Sequence, residues 1–404
     1  EYTTPTGLPL LEVADTRVAL ADLARWWRSR LRGKVIGITG SSGKTTTRRL
    51  VHAALGRTMK GSASPKSYNN DIGVPLTVLG AAADDGYLVC EIGMSHPGEI
   101  APLARIAAPN VAIITMAGRA HIGNMGSVQA IIHEKASLVD GLNTNGMAVV
   151  NGDQPELVAA VNERVKPGVR VATFGTTETC QWKLVSRTAK SMRLREPDGT
   201  EWECALALPG DYNAMNALAA IAAARLLGVP ATEIAAALPG VGPADMRMTR
   251  QSIGGVDVFN DAYNANPDAM LASLRAFVEL TGGEAPTARR VTVLGDMLEL
   301  GDQASIVALH AEVGRAVAAV GPAVAIFVGD GSAHGARAAS EAGSPAHILH
   351  VPLLDESGVS AIAALLRPGD AILLKGSRGS RMEQLIAALE ARANGARTAP
   401  CSTT

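Results

Sequence analysis

Short apolar runs of strand length alternate with longer stretches of helical periodicity over most of the chain. Residues 16–31 place Val18, Leu20, Leu23, Ala24, Trp27 and Leu31 at near-helical spacing, which predicts an amphipathic helix. A β-branched run over 35–39 then leads into a turn rich in glycine and hydroxyls, residues 40–47, and a helical pattern continues through Leu55. Further apolar runs at 87–92, 111–115 and 147–151 are separated by helical stretches, as a largely parallel α/β sheet requires. Between 171 and 208 the pattern changes to strict alternation, with Pro197, Asp198, Gly199 and Thr200 as a turn, and predicts a small antiparallel layer at the edge of the same domain.

Helices are expected over 213–227, which is alanine-rich, and over 231–238. Residues 239–243, Pro-Gly-Val-Gly-Pro, read as a linker. A second α/β series follows, with strands expected at 256–260, 291–294, 323–328, 347–351 and 371–375. The predicted organisation is therefore an amino-terminal segment and lead-in helix (1–33), a central α/β domain with a mostly parallel sheet and a small antiparallel layer (34–240), a Rossmann-like α/β domain (246–392) and a disordered tail (393–404).

The composition fits this division. A chain of 404 residues exceeds what a single core organises. With 47% hydrophobic and 19% charged residues it is globular, and aromatics at 3% leave the packing to Ala, Val, Leu and Ile. A formal charge of -1 without like-charge blocks argues against nucleic acid or an anionic membrane as partner. The longest apolar runs are too short to span a bilayer, and no secretory signal pattern opens the sequence, so a cytoplasmic monomer acting on small molecules is expected. Cys90, Cys180, Cys204 and Cys401 lack metal-ligand spacing and read as reduced structural thiols.

Chemistry enters at the first strand–turn–helix unit. Gly40, Ser41, Ser42, Gly43, Lys44, Thr45 and Thr46 supply backbone N–H groups and a helix N-terminus for phosphate oxygens. Lys44 suits the β and γ phosphates and the Thr45 hydroxyl suits magnesium. The strict pattern wants a glycine where Ile38 stands, so the loop is a short variant. Elsewhere Asn69 and Asn70, Glu91 at a strand end, and His121 break the apolar pattern, and carboxyl ends of parallel strands are where such sites form. Taken singly, Glu91 also suits a strand-end ion pair, His121 a loop histidine and Lys135 a solvated helix residue.

Together these segments resemble the Mur ligases. The resemblance rests on residues 37–46 (Gly-Ile-Thr-Gly-Ser-Ser-Gly-Lys-Thr-Thr), 69–76 (Asn-Asn-Asp-Ile-Gly-Val-Pro-Leu) and 91–100 (Glu-Ile-Gly-Met-Ser-His-Pro-Gly-Glu-Ile). It continues in 261–270 (Asp-Ala-Tyr-Asn-Ala-Asn-Pro-Asp-Ala-Met), 294–301 (Leu-Gly-Asp-Met-Leu-Glu-Leu-Gly) and 375–378 (Lys-Gly-Ser-Arg). It implies an ADP-forming ligase that activates a carboxylate with ATP and magnesium and couples it to an amine. The 261–270 and 294–301 segments point to D-alanyl-D-alanine or a similar amine, added to a peptidoglycan precursor.

By the same resemblance, Thr45 and Glu91 hold a magnesium ion, and His121 with a carbamylated Lys135 faces a second. Asn216 contacts adenine, Asp261 the ribose or nucleotide, and Arg247 the ATP phosphates. Asn69, Asn70, Asn264, Asn266, Lys375, Ser377 and Arg378 bind substrate; Asn264 and Asn266 equally suit turn formation beside Pro267. The sequence departs from the family in three places. Only residues 1–7 precede the match where a nucleotide-sugar domain is expected, Tyr212 stands where a histidine is usual, and the 116–119 loop is unusual. A ligase for a different carboxylate and a silent ATP-binding subunit therefore stand as alternative readings.

Overall fold

The computed structural model describes residues 11–282 and 288–398. Its strands are β1 (Lys34–Thr39), β2 (Gly61–Ala63), β3 (Tyr87–Glu91), β4 (Val111–Ile114), β5 (Met147–Asn151), β6 (Arg170–Gly175), β7 (Trp182–Arg187), β8 (Ser191–Arg195) and β9 (Glu201–Ala205) in a first sheet. A second sheet holds β10 (Thr249–Ile253), β11 (Val256–Asn260), β12 (Arg289–Gly295), β13 (Val324–Val328), β14 (His347–Val351) and β15 (Asp370–Lys375).

The first sheet runs β2-β3-β1-β4-β5-β6-β7-β8-β9. β1 pairs in parallel with β3 on one side and β4 on the other, so its carboxyl end lies where the connections diverge to the two halves of the sheet. β1, β3, β4 and β5 are buried almost throughout, as a sheet covered on both faces demands. Ile36, Ile38, Val89 and Ile113 pack on one face with helices Lys44–Leu55 and Asp211–Leu226. Val35, Leu88, Cys90, Ala112 and Ile114 pack on the other. Helix Asp211–Leu226 is buried nearly all round, and its alanines let it lie close against helix Lys44–Leu55.

The antiparallel layer expected at the edge of the first domain is present: β7-β8 and β8-β9 pair antiparallel, on a large sheet that β6 and β7 continue in parallel. β6 buries Ala172 and Phe174 on one face, while Val171 and Thr173 on the other are only half-buried, so its sequence alternates like that of the strands that follow. The carboxy-terminal helix Glu383–Thr398 runs into the segment read as tail, and 399–404 lie outside the described residues. So do residues 1–10 of the amino-terminal segment.

Helix Thr16–Arg28 is capped by Asp15, whose side chain accepts from Arg17 and Val18 N–H. It packs Ala24 into the central core, and Arg28 donates to the Ala107 and Ala108 carbonyls. Cys90, Cys180 and Cys204 are buried and free. No helix among the described residues is long and apolar enough to cross a membrane.

The second sheet runs β10-β11-β15-β12-β13-β14, parallel except at the β10-β11 edge. Polar contacts join its domain to the first. Arg119 meets Asp268 at 2.7 Å and Glu312 at 2.6 Å, and Arg187 forms a fork with Glu279. Partly exposed pairs of this kind contribute at most about 1 kcal/mol each, so they fix the orientation of domains whose stability comes from their own cores.

Candidate active site

Between the domains lies a cavity of about 1140 Å³. Its floor is the turn after β1. There Gly43 has φ +88°, which favours glycine, and a Cβ on it would lie 2.2 Å from Asn216 Oδ1. A Cβ on Gly40 would lie 1.8 Å from Thr115 Oγ1. The Thr115 hydroxyl donates to the Ser42 carbonyl at 2.6 Å, and Ser41 N–H donates to the Met116 carbonyl. The turn is thus pinned to the exit of β4 before any ligand arrives. Lys44 Nζ donates to the Gly40 carbonyl at 2.7 Å. Burial pushes its pKa down, against the pull of Glu91 and with the push of Arg247.

Glu91 ends β3 and is 1% exposed. Thr45 Oγ1 donates to its Oε2 at 2.8 Å, Asn69 Nδ2 donates to Oε1 at 3.1 Å, and Arg48 Nε lies 3.7 Å away. Arg48 Nε is buried without a hydrogen bond, and burial lowers the Arg48 pKa against the opposing effect of Glu91. A buried carboxylate touching a hydroxyl at the mouth of a phosphate-binding turn is a donor set for magnesium, which takes few protein ligands and completes its shell with phosphate and water. Among the described residues no cluster of three or more His, Cys, Asp or Glu forms a cage for a metal by itself.

His121 has φ +60°, and its Nδ1 bonds the Glu299 carboxylate across the domain boundary. Burial lowers its pKa, which Glu299 counteracts and Lys44 and Lys135 reinforce. In the neutral ring the proton sits on Nδ1, facing the carboxylate, and Nε2 keeps its lone pair. Lys135 is 2% exposed, so the solvated reading of it is excluded. Its neighbour Glu134 is spent on the N–H groups of Gly98 and Ile100. Burial first, then the charge of Lys44, drives the Lys135 pKa well below the ordinary lysine value.

The cavity brings together Ser41 to Thr46, Asn69, Asn70, Glu91, His121, Asn216, Arg247, Asp261, Asn264, Asn266 and Lys375. Gly40, Lys135, Ser377 and Arg378 do not line it. Ser377 accepts from Leu298 N–H, while Arg378 faces Met246 Sδ and Glu383. Asn266 is engaged as the cap of helix Pro267–Leu280, accepting from Ala269 N–H, and Asn264 accepts from Ala265 N–H in the turn. Lys375 donates to Asp261 Oδ2 at 2.7 Å and to the Asn264 carbonyl, so it shapes this loop from beneath. Arg48, Arg119 and Glu299 escaped the sequence reading. Only Arg48 left a signal, one helical turn beyond Lys44 on the same face.

Two α/β domains that close over a phosphate-binding turn, with an arginine from the inter-domain linker facing that turn, have the architecture of an ATP-dependent ligase. Residues 38–224 match the Mur ligase middle domain, and 246–378 match the domain described as Mur ligase, glutamate ligase domain. The UDP-N-acetylmuramoyl-tripeptide--D-alanyl-D-alanine ligase of Bacillus subtilis is 34% identical over 389 residues, 95% of this chain and 81% of that protein. The crystal structure of MurF from Acinetobacter baumannii superposes with a TM-score of 0.84 at 28% identity, covering 96% of this chain and 84% of that one. MurF ligase from Thermotoga maritima in complex with ADP gives 0.80 at 25% identity, covering 98% and 88%. The chain belongs to the Mur ligase family, in the group of the UDP-N-acetylmuramoyl-tripeptide--D-alanyl-D-alanine ligases.

Replacing Gly43 with alanine either strains the turn or displaces Asn216. ADP affinity measured by calorimetry is expected to fall at least about tenfold with the circular dichroism spectrum unchanged, and parent-like affinity would refute this account of the turn. Lys135 yields a prediction with a definite sign. Its folded pKa lies below its unfolded one, so the unfolded chain binds the extra proton and stability rises with pH until both states are neutral. In CO2-depleted buffer, Lys135→Met is therefore more stable than the parent at pH 7 by urea denaturation, and the gap closes toward pH 10.5. A variant no more stable than the parent at pH 7 would mean that the buried amine keeps its proton without penalty.

Proposed function

We propose that this chain is an ADP-forming ligase that joins D-alanyl-D-alanine to the terminal carboxylate of a muramoyl peptide in peptidoglycan precursor synthesis. The observation that carries the reading is the convergence of Lys44, Thr45, Glu91 and Arg247, drawn from the first domain and the linker to the second, on one cavity. The names of the Bacillus subtilis relative and its group supply the substrates.

An oxygen of the peptide carboxylate attacks the γ-phosphorus of ATP while the bond to the β-phosphate oxygen breaks, giving an acyl phosphate and ADP. The amine nitrogen then attacks the acyl carbon, loses a proton, and phosphate leaves from the tetrahedral intermediate. The turn 40–46 and the N-terminus of helix Lys44–Leu55 cradle the phosphates. Lys44 exchanges the Gly40 carbonyl for phosphate oxygens, and Arg247 adds charge from the linker. Thr45 Oγ1 and Glu91 would hold magnesium, which would supply positive charge to offset that of the phosphates.

His121 Nε2 and Lys135 would serve a second ion. A neutral, buried amine is the form that reacts with carbon dioxide, and the resulting carbamate would set an anion beside Lys44 in place of a desolvated base. Asn216 faces the adenine and Asp261 the ribose. Asn69, Asn70 and Asn264 offer amides to the peptide and the incoming amine, while Asn266, Lys375, Ser377 and Arg378 support the loops around them.

The test is phosphate release from ATP and magnesium with a muramoyl tripeptide and D-alanyl-D-alanine, using Lys44→Ala as the blank. Release should require both substrates and yield the amide by mass spectrometry. Release from ATP alone, or none with this pair, would contradict the assignment.

A further inference from the structure

Arg247 is held in an unusual way. It lies between Met246 and Met248, both with φ +54°, a strained left-handed conformation that methionine rarely adopts. The segment keeps this shape because Tyr263 N–H donates to the Met246 carbonyl and Met248 N–H donates to Asp261 Oδ1. The guanidinium carbon of Arg247 sits 3.9 Å from the centre of the Tyr263 ring. A face-on stack leaves the N–H donors at the rim of the guanidinium unspent. Both side chains line the cavity, and the charge of Arg247 is felt by Lys44 and Arg48.

The far end of the same ring reaches the first domain. Tyr263 Oη donates to Ser67 Oγ at 2.7 Å. Ser67 lies two residues before Asn69, whose amide holds the Glu91 carboxylate. One tyrosine therefore touches the linker arginine on its face and, through its hydroxyl, the loop that orients the metal-facing carboxylate.

We propose that Tyr263 is a positioning residue for the transferred phosphate. Its ring aims Arg247 at the γ-phosphate, and its hydroxyl clips the second domain to the 65–69 loop so that Arg247 and Glu91 reach working geometry together. This rests on the ligase reading above. ADP has no γ-phosphate, so the ring should matter for ATP and for turnover far more than for ADP, a selectivity that a merely structural tyrosine would not give.

The experiment compares Tyr263→Leu, Tyr263→Phe, Ser67→Ala, the double variant Ser67→Ala/Tyr263→Phe, Arg247→Ala and Arg247→Lys. Each is measured for kcat and for affinity toward ADP and a non-hydrolysable ATP analogue. Tyr263→Leu should lower kcat and analogue affinity roughly 10- to 30-fold while ADP affinity changes less than about twofold. Tyr263→Phe keeps the ring and should recover most of the loss. It should match Ser67→Ala, and the double variant should be no worse than either single one, since both remove the same bond. Arg247→Lys keeps the charge but loses the plane, so it should fall close to Arg247→Ala; it carries the test even if Tyr263→Leu folds poorly.

If Arg247→Ala is impaired while Arg247→Lys and Tyr263→Leu behave like the parent, the positioning role is wrong and the ligase reading stands. If Arg247→Ala itself retains full activity, the role of Arg247 fails and this proposal fails with it. Equal losses of ADP and analogue affinity in Tyr263→Leu would reduce the tyrosine to a structural part.

Discussion

A carboxylate that is 1% exposed at the end of a central strand is a liability unless its surroundings satisfy it. Stripping water from such a group costs several kcal/mol, on the order of a large part of a domain's net stability. Glu91 meets that cost with the Thr45 hydroxyl, the Asn69 amide and the nearby Arg48 guanidinium. Each comes from a different stretch of chain, or from a different turn of the helix after β1. The position of β1 between β3 and β4, the tightness of the phosphate-binding turn, and the path of the 65–69 loop all follow from keeping these groups in register. Arg48 Nε, buried without a hydrogen bond 3.7 Å from the carboxylate, leaves polar capacity within the cluster unspent.

The second domain is organised toward the same point. Lys375, at the end of β15, ties down Asp261, which holds Met248 N–H and so the left-handed linker around Arg247. Glu299 reaches across to His121, and Asp268 with Glu312 grips Arg119. These groups carry little of the stability, which comes from apolar clusters on either face of each sheet. They decide instead where one domain sits on the other, and hence whether the cavity is assembled.

Much of this was legible in the residues. Parallel strands buried on both faces appear as unbroken apolar runs, so β1, β3, β4 and β5 and the inner strands of the second sheet could be placed within a residue or two. β2, only Gly61–Ala63, and β10, polar at the sheet's edge, lack that signature and were missed. The phosphate-binding turn was visible because its chemistry is local. Glu91 and His121 each broke a pattern, whereas Lys135 stood out only through the family resemblance, and only burial in three dimensions separates a desolvated Lys135 from a surface lysine. The roles of Arg119, Tyr263 and Glu299 were invisible for the opposite reason. Each acts across the domain boundary, on residues far away in sequence, and nothing near it in the chain records the partner.

The central claim is that buried Glu91 is the anchor at which nucleotide and metal are joined. Calorimetric titration with a non-hydrolysable ATP analogue, with and without magnesium, tests it on the parent and on Glu91→Gln, which retains an acceptor for Thr45. Magnesium should tighten binding at least about tenfold in the parent and have little effect on the variant, while metal-free binding stays at the parent's level or better. An equal gain from magnesium in both proteins would remove Glu91 from the metal's surroundings and contradict the account.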